Sequence, residues 1–132
     1  MAAIAAKPDA APRVLLVEDD RSICDVIAEL LSDLGFETVC VHTDRQAYDA
    51  LPTLPTFSAL VVDVNLGAGT TGFDVARFAR QVLPEVAVIY ISGQASPDSF
   101  RAFGVRDSAF LLKPFEPQEL VAAVRARIPA NR

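Results

Sequence analysis

The chain has 132 residues, 52% of them hydrophobic and 22% charged, which is the make-up of one globular domain and excludes wholesale disorder. A formal net charge of −5 argues against a nucleic-acid-binding face. No apolar run approaches the roughly 18 residues needed to cross a bilayer. The apolar start Met1–Ala6 is too short for a signal-peptide core and lacks a basic lead, so no membrane association and a cytoplasmic location are expected.

Residues 1–12 are rich in alanine, carry prolines at 8 and 12, show no periodicity and read as a mobile N-terminal tail. The domain proper is expected over residues 13–129. Val14–Val17 is a continuous apolar run that stops at Glu18-Asp19-Asp20, the pattern of a strand covered on both faces. Ile23, Ile27, Leu30, Leu31 and Leu34 then recur at helical spacing, with Asp20 the expected N-cap rather than a metal ligand and Gly35 the stop. Phe36–Val41 alternates as an edge strand does, and His42 after it is expected at the surface, not in catalysis. Asp44–Leu51 is a short helix closed by Pro52 and Pro55.

Ala59–Val62 is the most hydrophobic strand, ending at Asp63, and Asn65–Gly72 is a glycine- and threonine-rich loop. A helix over Phe73–Leu83 ends at Pro84, and a strand over Val86–Ile91 ends at Ser92-Gly93. A short helix over Pro97–Phe103, a strand over Ala109–Leu112 ending at Lys113-Pro114, and a helix over Pro117–Ile128 complete the chain. It stops at Arg132 directly after that helix, so no output domain is expected. Cys24 and Cys40 lie far apart in sequence with no histidine at ligand spacing, and are expected as buried free thiols.

Strands alternating with helices predict βαβ units and an α/β, doubly wound parallel sheet of (βα)5 form, with the flavodoxin-like strand order 2-1-3-4-5. In such sheets the functional groups gather beyond the carboxyl ends of the strands, at the switch in strand order. The residues ending the runs are Glu18-Asp19-Asp20, Asp63, Ser92 and Lys113. Carboxylates crowded into one crevice repel unless a cation intervenes, and a hard cation such as Mg2+ meets its oxygen appetite there. With a lysine and a hydroxyl opposite, the set suits phosphoryl transfer onto a carboxylate, which needs mainly positioning and charge neutralisation. A flavodoxin-like cofactor binder would need a Ser-, Thr- or Gly-rich phosphate loop after the first strand, where this chain has Glu18-Asp19-Asp20-Arg21.

The segments Val14–Asp20, Leu60–Asn65, Val88–Gly93 and Phe110–Phe115, in this order and spacing, resemble the receiver domain of two-component response regulators, of the single-domain, chemotaxis-regulator-like type. The resemblance implies Asp63 as phosphoacceptor, and Glu18, Asp19, Asp63 and the main-chain carbonyl of Asn65 as the Mg2+ site. It further implies Ser92 and Lys113 as partners of the phosphoryl group, Ser92 and Phe110 as a switch pair, and a cis peptide bond at Lys113–Pro114. Phe110 fits the core equally well as a plain apolar residue. The implied partners are a sensor histidine kinase or histidine phosphotransfer protein and a downstream target protein. Where the family often has proline four residues after the acceptor, this chain has Gly67, and the loop Gly67–Gly72 is one residue longer, which predicts added mobility beside the site.

Overall fold

Helix boundaries are set by side chains that satisfy the orphan backbone groups of a first or last turn. The computed structural model describes residues 11–66, 71–93 and 97–128. Most of the expected N-terminal tail, the Gly67–Thr70 part of the long loop and the residues after 128 lie outside those described. Helix α1 (Arg21–Asp33) starts at Asp20, whose Oδ1 accepts the N–H groups of Ser22 at 2.9 Å and Ile23 at 3.3 Å. It ends at Gly35, in the left-handed region at φ 93°, whose N–H donates to the Ser32 carbonyl at 3.0 Å. Helix α2 (Asp44–Ala50) is capped by Thr43, and α3 (Gly72–Val82) by a reciprocal Thr71–Asp74 box. Helices α4 (Pro97–Phe103) and α5 (Pro117–Arg127) follow.

The strands β1 (Arg13–Val17), β2 (Glu37–Val41), β3 (Ala59–Asp63), β4 (Ala87–Ser92) and β5 (Ser108–Leu112) form one parallel sheet in the order β2-β1-β3-β4-β5. Leu15, Val17, Leu60, Val62, Val88 and Tyr90 pack beneath α2 and α3 on one face. Val14, Leu16, Val61, Ile89 and Ile91 pack beneath α1 and α5 on the other. Coverage of both faces is why these runs are continuously apolar rather than alternating.

Two strands reach further than their apolar runs predict. The ladder carries on through Asp63, opposite Ile91, and Ser92, opposite Leu112. Pairing uses only backbone groups, so a polar side chain at the end of a buried strand does not stop it. The consequence is functional: Asp63 and Ser92 are held by sheet, not by loop. Peptide bonds Leu54–Pro55 and Lys113–Pro114 are cis, the second as the sequence implies. Among the described residues no helix is long and apolar enough to cross a membrane.

Candidate phosphoacceptor and metal site

Strand register assembles the site. Val17 pairs with Val62, so the next residues, Glu18 and Asp63, emerge side by side at the switch between β1 and β3. Lys113, directly after β5, donates its N–H to the Ser92 carbonyl at 2.8 Å, which carries its side chain across the strand ends. Its Nζ then lies 2.8 Å from Glu18 Oε1 and 2.9 Å from Asp63 Oδ2. Glu18 and Ser92 are fully buried, Asp63 is 5% exposed, and Asp19 and Asn65 are exposed at the rim.

Glu18, Asp19 and Asp63 each offer a carboxylate oxygen, and these atoms lie within 4.8 Å of one another. At an effective dielectric near 20, unit charges so placed repel by at least about 3.5 kcal/mol per pair before screening. Lys113 relieves part of this, but a single ammonium faces three carboxylates. Burial raises the Glu18 carboxyl above its usual range, opposed by hydrogen bonds from Lys113 and the Asp20 N–H, with the Asp63 charge adding to the rise. Burial works against the Lys113 ammonium too, yet its hydrogen bonds to Glu18 and Asp63 win and its pKa stands above the ordinary lysine value. The donor set is all oxygen with an excess of negative charge and one carboxylate open to solvent, which fits a hard divalent cation.

The remaining predicted residues fall around this centre. Asp63 Oδ1 accepts the Asn65 N–H at 2.9 Å, so both oxygens of that carboxylate are oriented. The Asn65 side chain donates from Nδ2 to Ser92 Oγ at 3.4 Å, a contact not foreseen from sequence, which points only to its main chain. Phe110 is half-buried and stacks on Phe100 of α4 at 5.4 Å between ring centroids. The thiols of Cys24 and Cys40 are free; Cys24 is buried as expected, but Cys40, on the edge strand β2, is only half-buried, and its Sγ lies 3.7 Å from the Cys24 carbonyl. His42 departs from expectation: it is half-buried and its ring contacts Glu18, because the end of β2 runs beside the acidic end of β1. The available signal was the position itself, since the sequence places His42 directly after the edge strand that ends at Val41.

A doubly wound domain with an acidic crevice and one lysine at its switch point is the build of a signalling receiver. Residues 14–125 match the response regulator receiver domain, and the chain belongs to that family. Among curated relatives, the DNA-binding response regulator MtrA of Mycobacterium tuberculosis is 31% identical over 119 residues, covering 90% of this chain and 51% of that protein. The transcriptional regulatory protein CpxR of Escherichia coli is 34% identical over 116 residues, covering 86% of this chain and 48% of that protein. The chain thus spans about half the length of the curated relatives it matches. A response regulator receiver protein from Sinorhizobium medicae superposes with a TM-score of 0.85 at 30% identity, covering 92% of this chain and 98% of that one.

Proposed function

We propose that the domain is a Mg2+-dependent phosphoacceptor that takes a phosphoryl group onto Asp63 from the phosphohistidine of a sensor kinase or histidine phosphotransfer protein. The observation that carries this reading is Lys113 Nζ bonded to Glu18 and Asp63 together, with Asp19 alongside. An oxygen of Asp63 attacks phosphorus, the O–P bond forms as the P–N bond breaks, and the donor imidazole leaves with the electron pair and takes up a proton. Lys113 exchanges its carboxylate contact for a phosphoryl oxygen, and the Ser92 hydroxyl donates to another. Mg2+, held by Glu18, Asp19, Asp63 and the Asn65 carbonyl, supplies further neutralisation of the phosphoryl charge. Hydrolysis of the acyl phosphate resets the domain, which otherwise makes no product of its own.

The output of this reading is a contact with a target protein or onward transfer to a phosphotransfer histidine, with Ser92 and Phe110 as the responding pair. The DNA binding in the name of MtrA is said of a protein roughly twice as long, and with its net charge of −5 this chain is assigned no nucleic-acid partner of its own. The cytoplasm, where free thiols such as Cys24 and Cys40 persist, is the compartment assigned. The test is incubation with acetyl phosphate and Mg2+ followed by intact mass measurement. One labile phosphoryl adduct is expected on the parent and none on Asp63→Asn, since an amide cannot replace the carboxylate nucleophile. An adduct of equal yield on that variant would move the acceptor elsewhere.

A further inference from the structure

His42 stands between the end of β2 and Thr43, the N-cap of α2. Its ring Nδ1 lies 2.9 Å from the main-chain oxygen of Glu18. A carbonyl oxygen only accepts, so Nδ1 carries the proton of this bond. The histidine is itself anchored. Its backbone N–H donates to Gln46 Oε1 at 2.7 Å, and the Gln46 N–H donates to Thr43 Oγ1 at 3.1 Å. The ring therefore projects from a capped helix start onto the peptide group that joins Glu18 to Asp19.

That peptide decides where Asp19 points. The Glu18 side chain is held independently, by Lys113 and by the Asp20 N–H at 3.1 Å, and it is fully buried. Asp19 is exposed and draws no side-chain hydrogen bond from the described residues, so the backbone, which sets the direction of its Cα–Cβ bond, decides which neighbours its carboxylate can reach. Besides His42, the Glu18 carbonyl receives, among the described residues, only the Cys24 thiol at 3.9 Å, a weak donor. Rotation of this peptide would swing Asp19 away from Glu18 and Asp63.

We infer that His42 is a positioning residue for the metal-binding carboxylates: its Nδ1–H clamps the Glu18–Asp19 peptide and so fixes the Asp19 carboxylate beside its two neighbours. The inference rests on the Mg2+-dependent reading of the crevice. It is tested by calorimetric Mg2+ titration of the purified chain without phosphodonor, at urea-free conditions where every variant is folded and global stability does not enter the affinity. His42→Ala should bind Mg2+ about tenfold more weakly, the low end of what loss of an outer-shell partner costs. His42→Asn carries Nδ2 as many bonds from Cβ as the histidine Nδ1 and should restore most of the affinity. His42→Gln moves the donor one bond outward and should behave as alanine does. A parent that binds no Mg2+ overturns the reading of the crevice and this role with it. A parent that binds while His42→Ala matches it overturns the role of His42 alone, as does an asparagine variant no better than alanine.

Discussion

Gly72 opens α3 against the acceptor strand, and its missing side chain is a condition for the site. A Cβ there would stand 2.3 Å from the Asp63 carbonyl oxygen and 2.9 Å from Val64 Cα, both of them backbone atoms that cannot rotate away. The Gly72 N–H also donates to the Val64 carbonyl at 2.9 Å, so helix and strand end are clasped at van der Waals limit. Gly72→Ala should cost about 2–3 kcal/mol, the upper part of the range of overpacked cores. Because the displaced peptide is that of Asp63, acetyl phosphate labelling should slow as well. Urea denaturation and the labelling rate check the two effects, and a variant with the parental urea midpoint would mean that the helix start yields without strain.

At the scale of elements, Arg80 ties together parts that the sheet alone does not. From α3 its Nε donates to the Val86 carbonyl at 2.8 Å, and its Nη atoms donate to the carbonyls of Arg106 at 2.7 Å and Asp107 at 3.1 Å. Asp107 has a φ of 53°, so the guanidinium braces a turn that the backbone does not favour unaided. Arg80→Ala should lower stability by about 2 kcal/mol, the scale of charge-assisted hydrogen bonds. Arg80→Lys should recover only part, since a single ammonium cannot reproduce the planar fork that reaches three carbonyls. Equal urea midpoints for parent and alanine variant would dismiss the brace. None of these bonds is legible in the sequence, whereas the elements they join are. Pro52, Pro84 and Gly35 stop their helices where the chain reads, and Asp20 starts α1 as expected, whereas the Thr71 cap that starts α3 at Gly72 falls inside what reads as loop. The carboxylates and Lys113 were legible for the same reason, since each ends an apolar run whose strand is unmistakable. Contacts such as His42 to Glu18, Tyr90 Oη to the Val105 N–H at 3.0 Å, or Asn65 to Ser92 depend on side-chain reach between elements, for which no local spacing stands.

Over the whole molecule the charge is uneven, with a net −5 overall and the buried carboxylates Glu18 and Asp63, with the half-buried Lys113, drawn to one end of the sheet. Burial lifts the Glu18 carboxyl above its ordinary value of 4.5, so the folded state holds that proton more tightly than the unfolded chain does. The stability this brings is complete below the unfolded value and is lost as pH rises through the folded one. Lys113 acts in another window: raised above 10.5, it stabilises throughout neutral pH and ceases to do so only as pH climbs through its folded value. Surface carboxylates add slopes of their own, which Glu18→Gln shares with the parent and which therefore cancel in the difference. In EDTA, the stability of the parent minus that of Glu18→Gln should fall as pH is raised from 4.5 toward neutrality. With saturating Mg2+ the trend should reverse, because the cation binds the carboxylate form and protons compete with it. Urea midpoints of both proteins across this range, with and without Mg2+, provide the measurement. A difference that rises with pH in EDTA would mean that Lys113 and the Asp20 N–H outweigh burial and hold Glu18 as a structural carboxylate with no call for a metal.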